Sequence, residues 1–270
     1  MIALRRAGDR RHQLLRRREA WLTFQPQDDA AAFSRGFGPL QVLKEGRLPP
    51  RAATRQPVQE VEIITYVREG IVLFEDSAGR SGVVRAGEFQ RTTAGSGLRI
   101  SETNASTSHW AHVYQVWLRP TVTGLEPGGA QKRFSKADRH GALCLVASPD
   151  GRKGSLLIHQ DAYLYSSIFD AGQHVVHELV DGRSAWLHVV AGKVELGGDV
   201  LAAGDGAGFT AERAVSITMI EDTEILLVDL VVTGAAGVEG AADVVVPSPA
   251  AAMPPSSLME STSQNDGRGL

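Results

Sequence analysis

The sequence predicts an all-β protein made of two tandem β-barrels with few short helices. Three observations carry that expectation. Short apolar, β-branched runs are punctuated by glycine turns at roughly 8–12-residue spacing, the pattern of a sandwich or barrel and not of βαβ units. No long stretch spaces its apolar residues at the period of about 3.6 that a helix needs. One strand–turn–strand–turn phrase also occurs twice.

Taken in order, the first segment is arginine-rich: Arg5, Arg6, Arg10, Arg11 and Arg16 to Arg18. Acidic residues balance the chain to a formal net charge of −3, so this reads as a solvated edge strand and loop with salt bridges. A phosphate-contacting arm and an organelle transit segment are the alternatives, the latter opposed by Asp9 and Glu19. From Arg55 to Pro120 the signal is β. Val61-Glu62-Ile63-Ile64-Thr65-Tyr66-Val67 ends at Gly70, Ile71-Val72-Leu73-Phe74-Glu75 ends at Gly79, and Val83-Val84-Arg85 ends at Gly87. The phrase returns as Val189-Val190-Ala191-Gly192, then Lys193-Val194-Glu195-Leu196, then Leu201-Ala202-Ala203-Gly204-Asp205. These blocks divide the chain into an N-terminal barrel (1–120), a linker (121–154) carrying Pro127 and Pro149, a C-terminal barrel (155–232) and a tail (233–270). The tail is rich in alanine, glycine, serine and proline and is expected to be disordered.

Composition narrows the function. With 43% hydrophobic and 22% charged residues the chain is an ordinary globular one, and its slight acidity argues against general nucleic-acid or membrane-surface binding. A single cysteine, Cys144, excludes an intramolecular disulfide and any zinc site needing two thiolates. No run approaches the ~20 apolar residues of a membrane span. The opening Met1-Ile-Ala-Leu-Arg-Arg lacks a secretory apolar core, so the expected location is cytoplasmic.

A strand–glycine turn unit present twice suggests the cupin (jelly-roll-like) barrel. Several blocks make the likeness specific: Glu62-Ile63-Ile64-Thr65-Tyr66-Val67-Arg68-Glu69-Gly70, Arg85-Ala86-Gly87-Glu88-Phe89-Gln90 and Tyr114-Gln115-Val116-Trp117. In the second half Ile158-His159-Gln160-Asp161 and Val228-Asp229-Leu230 extend it. Over roughly residues 2 to 232 the chain resembles the pirin family of two-barrel cupins.

That resemblance implies an iron-type metal in the first barrel, held by three histidines and a glutamate from a histidine–proline–histidine and a histidine–serine–glutamate motif. Residues i and i+2 of a strand share a face, so each motif delivers two side chains to the cup. This chain has Gln56-Pro57-Val58 and Ile100-Ser101-Glu102 at those places. Valine and isoleucine offer no donor atom, and Gln56 with Glu102 supplies only two oxygen donors. No metal and no other cofactor is therefore expected. Gln56, Val58, Ile100 and Glu102 become candidates to line a drier pocket, open to a small ligand or packed shut. Gln56 is the expected donor to Glu102, whose carboxyl faces an apolar wall without a cation and should have a raised pKa. Gln115 and Trp117, on one face of their strand, are further candidate lining residues.

The remaining groups point to structure. His109 with His112, and His174 with His177, stand at i and i+3 and so do not converge from one strand. Glu62 caps a turn or pairs with Arg68. Cys144 sits in an apolar run and reads as an inert thiol. Gly95-Ser96-Gly97 does not match phosphate-loop spacing. The leading expectation is a non-catalytic module that senses a small molecule or contacts a protein partner, with neither nucleic acid nor membrane as partner. The alternatives are a quercetin 2,3-dioxygenase of pirin type, which needs a metal, and a metal-free cupin isomerase using Glu102 as acid or base.

Overall fold

A computed structural model describes residues 1–24 and 36–232. The expected disordered tail, 233–270, lies outside the described residues. In chain order the strands are β1 (Ile2–Arg5), β2 (Arg11–Leu15), β3 (Arg18–Leu22), β4 (Leu40–Leu48), β5 (Ala53–Val58), β6 (Glu62–Glu69), β7 (Ile71–Asp76), β8 (Ser81–Arg85), β9 (Glu88–Thr93), β10 (Leu98–Asn104) and β11 (Ala111–Leu118). Then follow β12 (Gly128–Arg133), a one-turn helix α1 (Lys136–Arg139), β13 (Cys144–Ser148), β14 (Leu156–Leu157), β15 (Ala162–Phe169), β16 (His174–Glu178), β17 (Arg183–Ala191), β18 (Lys193–Leu196), β19 (Asp199–Ala202), β20 (Gly206–Phe209), β21 (Ala214–Met219) and β22 (Thr223–Val231). Each barrel pairs a seven-stranded sheet with a four-stranded one. The first holds β12-β9-β6-β11-β4-β3-β2 and β5-β10-β7-β8; the second holds β1-β20-β17-β22-β15-β13-β14 and β16-β21-β18-β19. The repeat seen in the sequence is thus a repeat of strand order.

Its glycines mark places where a side chain does not fit. Gly70 (φ +84°) and Gly192 (φ +80°), both in the left-handed region, turn the chain from a strand of the seven-stranded sheet (β6, β17) into one of the four-stranded sheet (β7, β18). A Cβ on Gly70 would meet Ala111 Cα at 2.9 Å, and one on Gly192 would meet the Asp222 carbonyl at 2.3 Å.

The two barrels exchange edge strands. Ile2–Arg5, placed with the N-terminal barrel by its position in the sequence, instead pairs antiparallel with β20 of the second barrel. Conversely β12, from the linker, pairs with β9 of the first, and β13 joins the second barrel's sheet through β15. β1 and β12 are therefore equivalent strands, each covering the edge that its barrel's own repeat leaves open. The N-terminal arginines form the expected salt bridges, Arg6 with Asp205 (3.2 Å) and Arg10 with Glu45 (2.8 Å), but the segment is not simply solvated: Arg5 and Arg10 are buried.

The large sheets pack face to face. Ile64, Tyr66, Phe89, Tyr114 and Val116 from one side meet Leu164, Trp186, Val190, Leu226 and Val228 from the other in a single core. This is why β6 and β11 are buried on both faces and read as nearly continuous apolar runs. Charges are embedded in the seam. Arg139, on α1, donates to Glu224 (2.8 Å), Ser166 (3.0 Å) and the Tyr66 hydroxyl (2.9 Å). Tyr66 in turn donates to Glu224 (2.5 Å), as does Arg68 (3.0 Å). No helix among the described residues is long and apolar enough to cross a membrane.

Candidate functional site

Strand alternation sorts the residues of β6 and β11 between the seam and the first cup. The cup receives Ile63, Thr65 and Val67 from β6, and Val113, Gln115 and Trp117 from β11. From β4 it receives Val42 and Lys44. Across from them, β10 turns Leu98, Ile100 and Glu102 inward, and β5 turns Thr54, Gln56 and Val58 inward. Val58, Ile100 and Trp117 share an apolar cluster with Val42, Ile63 and Leu98. A second cluster, around Val67, Val72 and Val113, lies farther along the barrel.

Between the two clusters runs a polar layer. The ladder register places Lys44, Gln115, Thr65 and Gln90 in one row across β4, β11, β6 and β9. Gln115, 1% exposed, is its hub. Its amide nitrogen donates to Glu102 Oε1 (2.8 Å) and reaches Thr65 Oγ1 (3.4 Å). Its amide oxygen accepts from Lys44 Nζ (3.4 Å) and Trp117 Nε1 (3.4 Å). The ammonium on one side and the carboxylate on the other leave the amide a single favourable orientation. Burial pushes the Glu102 carboxyl up from its ordinary value, while Lys44 and the hydrogen bonds from Gln115, Thr65 and Thr54 pull it back. Burial likewise pushes the Lys44 amine down, against the attraction of Glu102.

Two expectations are corrected here. Gln56 is not the donor to Glu102. The β5–β10 register sets Gln56 opposite Ile100 and Thr54 opposite Glu102, so Gln115 from the facing sheet makes the bond. Gln56 Nε2 is buried without a partner. Nor does Glu102 lack a cation, because Lys44 shares its layer. All six candidate residues do face this interior: Val58, Ile100, Glu102, Gln115 and Trp117 are buried, and Gln56 is half-buried.

The other groups take structural places. Glu62, fully buried, accepts from Thr93 Oγ1 (2.7 Å), the His159 backbone N–H (2.5 Å) and His159 Nδ1 (2.9 Å), so it ties β6 to the second barrel rather than pairing with Arg68. His112 contacts Glu45 (2.8 Å), and His177 contacts Asp229 (2.8 Å). Among the described residues no group of three or more His, Cys, Asp or Glu side chains is placed to hold a metal ion.

Family models match both halves: one described as Pirin over residues 10–118, and one described as the quercetinase C-terminal cupin domain over residues 145–230. The chain belongs to the pirin family. An Escherichia coli relative named quercetin 2,3-dioxygenase is 37% identical over 231 residues, covering 85% of this chain and 99% of that protein. A pirin-like protein of Caulobacter vibrioides is 35% identical over 195 residues, covering 72% and 84%. Among solved structures, the bacterial pirin YhhW of Escherichia coli in complex with nickel(II) superposes with a TM-score of 0.79 at 36% identity, covering 86% of this chain and 99% of that one. The two-barrel cupin architecture read from the sequence is thus the architecture of this pirin.

Proposed function

We propose that this pirin works without a metal in its first cup, as a small-molecule-sensing or protein-interaction module. The observation that supports this is the donor set. Gln56, Val58, Ile100 and Glu102 present one carboxylate and one amide oxygen, and the Lys44 ammonium already supplies a positive charge beside that carboxylate. Such a set does not fit a divalent transition ion: two weak oxygen donors compete poorly with water, and a nearby cation repels a second one.

The second reading, a flavonol 2,3-dioxygenase, draws on the names of relatives such as the 37% identical Escherichia coli protein. Elemental analysis after loading with iron or nickel, together with a quercetin-consumption assay, separates the two. The expected result is no stoichiometric metal and no flavonol oxidation in the wild type. The Gln56→His, Val58→His, Ile100→His variant should gain metal, and more of it when Lys44→Gln is added. Stoichiometric metal and quercetin turnover in the wild type would overturn the proposal.

A further inference from the structure

Away from the first cup, a cleft of about 280 Å³ opens where the linker passes between the barrels. Its walls come from both halves. Lys132 and Arg133 belong to β12, hydrogen-bonded into the first barrel, and Cys144 belongs to β13 of the second. Lys153 projects from the turn that follows β13, and Phe134 and Leu143 line apolar parts of the wall.

Charge in the cleft is one-sided. Lys132, Arg133 and Lys153 are exposed, and among the described residues none has a carboxylate within ion-pair distance. The one acid on the rim is Asp138. It accepts from the Ser135 backbone N–H and hydroxyl (2.7 Å each) as the third residue of the capping box that Ser135 opens, which holds its carboxyl below the usual range. Lys132 reaches the Gly154 carbonyl and lies over the Phe134 ring at 5.1 Å. Lys153 is held at φ +54°, a left-handed conformation uncommon for a long side chain. Three cations gathered around a small concave site against the single carboxylate of Asp138, on a chain whose net charge is −3, suit an anion and not an extended polyanionic surface.

We propose that this cleft is a binding site for a small polyanion bearing phosphate or carboxylate groups, bridged by Lys132 and Arg133 from one barrel and Lys153 from the other. Bound there, the ligand ties together cations that otherwise repel, so it stabilises the joined barrels. It also sits beside α1, whose Arg139 is buried in the seam against Glu224. The site is separate from the first cup and does not depend on its metal content.

Cys144, the only cysteine, is a built-in reporter on the cleft wall. N-ethylmaleimide labelling of the full chain is followed with pyrophosphate, with citrate, and with sodium chloride at matched ionic strength, alongside thermal unfolding. The expected result is labelling slowed at least several-fold by pyrophosphate, citrate or both, but not by chloride, with a raised melting temperature. Pyrophosphate and citrate together tell a phosphate from a carboxylate preference. Arg133→Glu with Lys153→Glu should abolish protection while the ligand-free protein keeps its melting temperature, and Lys153→Gln alone should weaken it. Protection equal to that of chloride, or protection unchanged in both variants, would overturn the proposal.

Discussion

The Lys44–Gln115–Glu102 layer can be tested by a double-mutant cycle. Lys44→Met removes the ammonium while keeping an unbranched apolar stem, and Glu102→Gln removes the carboxylate charge while keeping an acceptor for Gln115 Nε2. No direct ion pair forms; Gln115 stands between the two groups, bonded at 3.4 Å to Lys44 and 2.8 Å to Glu102. With one amide between them the charges lie roughly 6–8 Å apart, worth about 2–3 kcal/mol at an effective dielectric of about 20. Each single variant leaves the other charge in the barrel without its counterpart, and each should cost about 1–3 kcal/mol. The double variant leaves neither charge, so its stability should return close to that of the wild type, giving a coupling near the sum of the two single losses, about 2–6 kcal/mol. Urea unfolding at neutral pH, followed by tryptophan fluorescence, supplies the free energies. Single losses that add up in the double variant would refute the argument, because the two groups would then not be sensing each other's charge. The cycle also has a pH signature. Glu102 is raised, so the unfolded chain releases its proton first, and the penalty of the buried carboxylate grows as pH rises above about 4.5. In Lys44→Met, with nothing opposing burial, that decline should be steeper.

Other parts of the seam give shorter tests. Glu45, held down to about 2 chiefly by the hydrogen bond from His112 and by Arg10, contributes stability above pH 4.5 that is lost as pH falls through about 2. Glu45→Gln should therefore flatten the acid limb of urea midpoints measured over that window. His188 is fully buried with neither ring nitrogen bonded, and burial holds its pKa at about 3. The unfolded chain takes up that proton near 6.5, so stability falls as pH drops from 6.5 towards 3. His188→Leu should abolish that part of the fall and leave stability at neutral pH equal or higher; a marked loss at neutral pH would show that the ring makes a needed bond. Arg139→Met strips Glu224 of one of its partners in the core between the barrels and should cost about 3 kcal/mol in the same unfolding assay, with Arg68 and Tyr66 limiting the loss.

What could be read from the sequence, and what could not, divides by range. The glycine turns are local: Gly70 and Gly192 each need a left-handed backbone, and their recurrence announced two copies of one unit. The facing of Gln56, Val58, Ile100 and Glu102 followed from period-two alternation along two short strands. Lys44 was missed because Leu40–Leu48, with Lys44, Glu45 and Arg47 among its residues, does not look like a buried strand. Its side chain enters the cup only because β4 pairs with β11 and sets Lys44 opposite Gln115, some seventy residues away. The same holds for Ile2–Arg5, whose place beside β20 is a pairing across about two hundred residues that no local pattern encodes. The two observations behind the proposed metal-free reading therefore differ in visibility. Absent nitrogen donors show at the motif itself, whereas the cation beside Glu102 shows only once strands are paired. On that proposed reading, histidine substitution alone is incomplete: it puts nitrogen donors on β5 and β10 but leaves an ammonium on β4 facing the same carboxylate. Only removal of Lys44 as well makes the cup electrostatically hospitable to a divalent ion.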